Sequence, residues 1–140
     1  PKTVTVQGGD RACYNPSTDT VSMPGANQFH KGEEFYATLF HELTHATGHT
    51  SRLNRPELGK LGDIHGYSRE ELVAELGAAF LCAEAGIDNT MENSAAYIKG
   101  WLEALANDPK LFVEASAKAS KAAAFILNRS NDAVASDSEG

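Results

Sequence analysis

His41, Glu42 and His45 are the residues whose types and spacing could carry chemistry. They stand as His41-Glu42-Leu43-Thr44-His45, inside a stretch of helical hydrophobic periodicity from about Glu33 to Thr47. On a helix, positions i and i+4 lie ~40° apart on one face, so both imidazoles can reach one metal ion. Glu42 lies ~100° round from His41, at the edge of that face, where it can act on a water molecule without being a ligand. The chemistry is metal-assisted hydrolysis: two histidines hold Zn2+ and the glutamate serves as general base. Three fixed positions also recur by chance, so the surrounding helix must decide. Tyr36, Leu39, Phe40, Leu43 and Ala46 form one apolar stripe at i, i+3, i+4, i+7 spacing. His41 and His45 fall on the other side, with Glu34 and Thr38. A core histidine would sit in the stripe. These two make a separate face, which meets either solvent or a site.

A second element must complete the ligand set. The sequence from about Ser68 to Ala85 reads as a helix, and from Leu72 to Ala83 it is apolar on nearly every side except Glu75. Such a helix belongs in the middle of a fold. Glu71, Glu75, Ala78 and Cys82 line one narrow stripe, and buried carboxylates are costly unless paired or metal-bound. Facing this stripe against His41 and His45 satisfies both helices. Either Glu71 or Glu75 could then be the third ligand. Ser68-Arg69-Glu70-Glu71 is also a capping-box pattern, in which Glu71 would fold back on its own helix end.

The first helix stops at Gly48, read as a left-handed C-terminal residue. His49 follows it. The order resembles the metzincin pattern H-E-x-x-H-x-x-G-x-x-H, but the third histidine would fall on Ser51, which is no zinc ligand. His49, one residue past the glycine, reads foremost as a cap on the last carbonyls or a residue of the cleft rim, with a ligand role as the lesser alternative. Thr50 to Tyr67 is a long irregular stretch, of a kind that is functional or mobile in small domains. Its Arg52 and Arg55 read as a substrate-carboxylate pair or, by default, as partners of surface acids. Tyr67 reads either as a phenol that polarises a substrate carbonyl or as a packing residue at a helix start.

The remaining elements look structural. Lys2 to Pro24 reads as β structure, with a hairpin of Ala12–Tyr14 against Thr20–Met23 across the turn residues Asn15-Pro16-Ser17-Thr18-Asp19. Its edge either takes an extended peptide by strand addition or simply covers the core. A third helix is expected over about Asn93 to Ala106, with Ile98, Trp101, Leu102 and Leu105 at core spacing. A fourth is expected over Pro109 to Asn128, with Asp108 as N-cap, Pro109 at its first turn and a buried alanine face. Residues 129–140 are polar and small and read as a disordered tail. The domain proper is thus 1–128. The fold class is α+β, mostly helical, with a small N-terminal antiparallel hairpin or sheet and about four helices.

Composition narrows the function classes. The 140 residues are 41% hydrophobic and 22% charged, with a net charge of −7. This is ordinary for a globular domain, and the charge argues against a nucleic-acid surface of its own. No apolar run is long enough to span a membrane. The two cysteines, Cys13 and Cys82, form no C-x-x-C pair and fit a reducing compartment. The chain begins Pro-Lys-Thr, with no initiator Met and no signal-peptide pattern, and is expected to be part of a longer protein or a processed product.

H-E-x-x-H followed by Glu71-Leu72-Val73-Ala74-Glu75 resembles the gluzincin plan, in which a glutamate is the third zinc ligand. Longer stretches carry a closer resemblance: Tyr14 to Ser17, Met23-Pro24, Phe35 to His45, Thr47 to Arg55 and Glu70 to Leu81. They are similar to the C-terminal zincin-like metallopeptidase domain of ArdC-type antirestriction proteins, also found in plasmid and phage proteins including some conjugative primases. The ImmA/IrrE metallopeptidases look like more distant relatives. The resemblance covers about Cys13 to Leu127. It implies that the first acid of the segment, Glu71, is the ligand and that Glu75 hydrogen-bonds a ligating histidine. It also implies a bacterial cytoplasmic protein of a mobile element, and single-stranded DNA bound only through an N-terminal domain absent from this sequence.

Two function classes follow. One is a zinc peptidase: His41, His45 and Glu71 hold Zn2+, and Glu42 takes the proton of a zinc-activated water that attacks a peptide carbonyl. The other is a zinc-stabilised interaction module, in antirestriction or DNA-associated regulation, that cuts no peptide. The intact Glu42 favours the first, because a structural zinc needs no carboxylate beside its water. The peptide or protein substrate and the oligomeric state are not written in the sequence.

Overall fold

A computed structural model describes residues 4–29, 31–56, 58, 64–87 and 109–128, with 64–68 by backbone alone. The expected third helix, Asn93 to Ala106, and the tail 129–140 lie outside the described residues. Three strands come first: β1 (Thr5–Gly8), β2 (Cys13–Asn15) and β3 (Thr20–Met23). Three helices follow: α1 (Gly32–Thr47), α2 (Ile64–Ala85) and α3 (Pro109–Ile126). The class is α+β, as the sequence suggests. The hairpin pairs antiparallel with Tyr14 opposite Val21, and Asp19 turns the chain at φ 52°. The sheet also has a third member. β1 runs parallel to β3 in the order β1-β3-β2, so the sheet is mixed.

Two apolar clusters flank one polar seam. The sheet gives Tyr14, Val21 and Met23 to the first cluster, where Ala46 and Leu58 join them and Phe35, Leu39 and Leu43 of α1 pack alongside. The alternation of Thr20-Val21-Ser22-Met23 explains which strand residues point inward. Leu72, Val73 and Leu76 of α2 meet Phe112, Ala115 and Ala119 of α3 in the second. Leu39, Leu43 and Ala46 of the expected α1 stripe pack into the first cluster, whereas Tyr36 stands 51% exposed, Phe40 is half-buried outside the cluster and Phe35 turns inward.

Between the clusters, α1 meets α2. A Cβ on Gly77 would lie 2.6 Å from Thr44 Cγ2 and 2.7 Å from Thr44 Oγ1, so glycine is what lets the two helices approach here. Thr44 is fully buried, and its hydroxyl returns to the Phe40 carbonyl at 2.7 Å. This crossing carries the histidines and the glutamates.

Two expectations change at the helix ends. Gly48 has φ −78° and ψ −8°, so it is not left-handed. Its missing side chain serves packing instead: a Cβ there would lie 2.8 Å from Arg55 Nη2. α2 begins at Ile64, four residues before Ser68. Ser68 is therefore inside the helix, and Glu71 is two turns from the helix start. The capping box has no place to form, which removes the competing use of the Glu71 carboxylate.

Candidate metal centre

The i, i+4 spacing on α1 stacks the two imidazoles edge to face, with ring centroids 4.9 Å apart and planes at 80°. Both Nε2 atoms point to one carboxylate. His41 Nε2 lies 3.1 Å from Glu71 Oε2, and His45 Nε2 lies 3.0 Å from Glu71 Oε1. One atom from each of His41, His45 and Glu71 falls within a 4.8 Å cluster. The far nitrogens are held as well. His41 Nδ1 donates to Glu75 Oε1 at 2.9 Å, and His45 Nδ1 donates to Glu70 Oε2 at 2.7 Å. The i, i+4 spacing of Glu71 and Glu75 matches that of the histidines, so the two helices meet side chain for side chain.

Glu70 was not foreseen. In sequence it reads as part of a helix-start pattern, beside the stripe rather than on it. In the structure it is 0% exposed and takes both oxygens to Arg55, whose Nε and Nη2 each donate at 2.9 Å. Arg55 is likewise not a surface residue; it is 6% exposed. The sequence carries no periodic signal for this pair, because each residue alone reads as a surface charge. Arg52 has a different partner: it donates to Asp19, which also accepts the Tyr14 hydroxyl at 2.7 Å. Arg52 Nε reaches the Ala46 carbonyl at 2.8 Å, so it ties the β2–β3 turn to the end of α1. His49 is engaged locally, its Nδ1 at 2.8 Å from the Ser51 hydroxyl, and takes no part in the cluster. The expected role of Tyr67 lies outside the described side chains.

The electrostatics follow from this packing. Burial disfavours a charged His41, but the Glu71 and Glu75 carboxylates outweigh it and hold its pKa up at about 10. His45 shifts upward in the same way, burial being overcome by Glu70 and Glu71. Burial would raise Glu71, yet the two histidines hold it down at about 2. Glu70 is lowered despite burial by His45 and Arg55. Glu42 behaves differently. It is 9% exposed, and burial pushes its pKa up against the opposing pull of His41, His45 and a hydrogen bond from the Tyr14 backbone amide. One carboxylate is thus kept strongly acidic beside the histidines while its neighbour is made a better base, a division of roles typical of acid–base sites.

The donor set suits a divalent cation such as zinc. Two imidazole nitrogens and a carboxylate converge, and each imidazole is oriented through its other nitrogen by a second carboxylate. A family model described as zincin-like metallopeptidase matches residues 2–118. The chain belongs to this zincin-like metallopeptidase family. Among similar proteins, a DNA primase TraC of Escherichia coli is 41% identical over 89% of this chain, and a second is 43% identical over 84%. The uncharacterised protein y4eC of Sinorhizobium fredii is 37% identical over 95% of it. The crystal structure of the antirestriction protein ArdC from plasmid R388, with Mn(II) bound, is 41% identical and superposes with a TM-score of 0.75 over 91% of the chain. Its metal-free form gives 0.70 over 93%. The resemblance to ArdC-type proteins read from the sequence is therefore shown. The zincin-like chain spans 9% and 11% of the two primases, 43% of y4eC and 48% of ArdC. Among the described residues, no helix is long and apolar enough to cross a membrane.

Proposed function

We propose that this domain is a zinc-dependent peptidase whose metal is held by His41, His45 and Glu71. The observation that carries the reading is the convergence of both Nε2 atoms on Glu71 while Glu75 and Glu70 hold both Nδ1 atoms. A bound Zn2+ would supply Lewis acidity, lowering the pKa of a water and polarising a carbonyl. Glu42 stands beside the histidines on α1, outside the ligand cluster, with its affinity for protons raised by burial. Its role is to accept a proton from the attacking water and return it to the leaving amine. The Tyr14 amide holds the Glu42 carboxylate in place from β2. Mn(II) in the ArdC relative supports a divalent ion in this fold.

The test is metal content of the purified chain, followed by peptide cleavage by wild type and Glu42→Gln. Wild type should carry one Zn2+ and cleave, and the variant should keep the metal and lose ~10²–10⁴-fold in rate. Equal cleavage by both would remove Glu42 from the mechanism. A second reading is favoured by the relatives, two of which are named primases and one an antirestriction protein. In that reading the domain is a zinc-stabilised interaction module. A metal-loaded wild type inert against a broad peptide library would select it.

A further inference from the structure

Arg55 lies outside the proposed ligand set yet is wired to it. Its Nε donates to Glu70 Oε1 and its Nη2 to Glu70 Oε2, both at 2.9 Å. Its Nη1 donates to Thr47 Oγ1 at 2.7 Å, and Nη2 also donates to the Thr44 carbonyl at 2.7 Å. The fork of a planar guanidinium matches both oxygens of one carboxylate, which a lysine ammonium cannot do. Glu70 in turn accepts the His45 Nδ1 proton at 2.7 Å. An unbroken line of hydrogen bonds thus runs from Arg55 through Glu70 to His45 Nδ1.

The backbone around Arg55 is shaped for this placement. The Leu53 amide donates to the Thr47 carbonyl at 2.8 Å, and the Arg55 amide donates to the Gly48 carbonyl at 2.9 Å, folding the chain back over the end of α1. Asn54 takes φ 53° to make the return. The guanidinium then lies against Gly48, whose Cβ, if present, would be 2.9 Å from Arg55 Cζ.

We infer that Arg55 is a positioning residue of the metal centre, acting through Glu70 to fix the tautomer and ring plane of His45 so that Nε2 faces the ion. The inference rests on the metal reading proposed above. Fixing the far nitrogen of a ligating histidine is a general means of tuning metal affinity. Arg55 could otherwise serve only α1, since a cation favours the carbonyl end of a helix. The two roles differ in whether the effect of Arg55 passes through Glu70.

The experiment measures Zn2+ affinity by chelator competition for the whole chain as wild type, Arg55→Lys, Glu70→Gln and the double variant. Imidazole ¹⁵N spectra of the zinc-loaded proteins report the His45 tautomer and its Nδ1 proton. Each single variant should bind Zn2+ about 10–100-fold more weakly. The double variant should be no weaker than the worse single, because both break one line of bonds. The His45 Nδ1 proton, slow to exchange in wild type, should exchange rapidly in each variant. Wild-type affinity in Arg55→Lys, or losses that multiply in the double variant, would overturn the inference. If Arg55→Lys does not fold, Glu70→Gln decides: unchanged affinity with an unchanged Nδ1 proton overturns it. Failure of the wild-type chain to take up Zn2+ defeats the metal reading itself, whereas wild-type binding with an undiminished Arg55→Lys defeats this inference alone.

Discussion

Metal binding should expel protons, and the number can be worked from the site. With its pKa held up at about 10, His41 is charged near neutral pH in the metal-free protein, and His45 is shifted in the same direction by Glu70 and Glu71. A metal needs a neutral nitrogen, so each ligating histidine must first lose a proton. For His41 at about pH 7.5 that costs about 3 kcal/mol, at about 1.36 kcal/mol per pH unit below its pKa. At least the His41 proton should therefore leave per Zn2+, and the apparent affinity should rise by about 10-fold or more per pH unit between about pH 7 and 8.5. The sign is reversed for the metal-free fold. The stability contributed by His41 is complete below its ordinary 6.5 and is lost as pH rises through about 10. That of Glu71 is complete above its ordinary 4.5 and is lost as pH falls through about 2. Together these two groups contribute most to the metal-free fold between 4.5 and 6.5, and the gain in melting temperature on adding Zn2+ should widen above that window. Proton release is read with an indicator dye in weak buffer during titration with Zn2+. Fewer than about half a proton per ion near pH 7.5 would show that the histidines are neutral before binding and would refute the reasoning.

Glu71→Ala should abolish Zn2+ binding, whereas Glu75→Ala should weaken it only about 10–100-fold, because Glu75 touches only the far nitrogen of His41; the reverse order in metal analysis would exchange their roles. Gly77→Ala should lower the melting temperature, since overpacking against Thr44 at 2.6 Å costs ~1–3 kcal/mol and outweighs the ~1 kcal/mol gained in helix propensity. Adding Thr44→Ala should recover part of the melting temperature, and no recovery would show that the helix spacing is set elsewhere. This chain alone should bind single-stranded DNA weakly, given its net charge of −7; tight, salt-sensitive binding in an anisotropy titration would contradict that.

The residues at the centre were legible because their signal is local. His41 and His45 are one helical turn apart, as are Glu71 and Glu75, so each helix declares its own face. The hairpin was legible from alternation and turn residues. Glu70 and Arg55 were not, because a buried ion pair between a loop and a helix has no period and each partner alone resembles a surface charge. The start of α2 was missed because Ser68 imitates an N-cap although the helix begins at Ile64. Nor could pattern show that β1 lies parallel beside β3, since its four residues are all exposed and no burial selects their register. In sequence Gly48 reads only as a helix end and Gly77 does not stand out, while both are needed for close approach, one under a guanidinium and one at a helix crossing.

Among the described residues, the ligand cluster and the carboxylates behind it come from one run of chain, His41 to Glu75, on α1 and α2. Closing one helical hairpin is a local event, among the faster steps available to a folding chain. The i, i+4 histidines can also meet an ion before the sheet has formed. On the zinc reading proposed above, the ion would then have some affinity for chains that are still unfolded, and that affinity would subtract from the stabilisation the folded domain gains on binding. Melting temperature will consequently understate how tightly the native site holds its ion, and refolding in the presence of zinc will begin from a chain already drawn together at its centre.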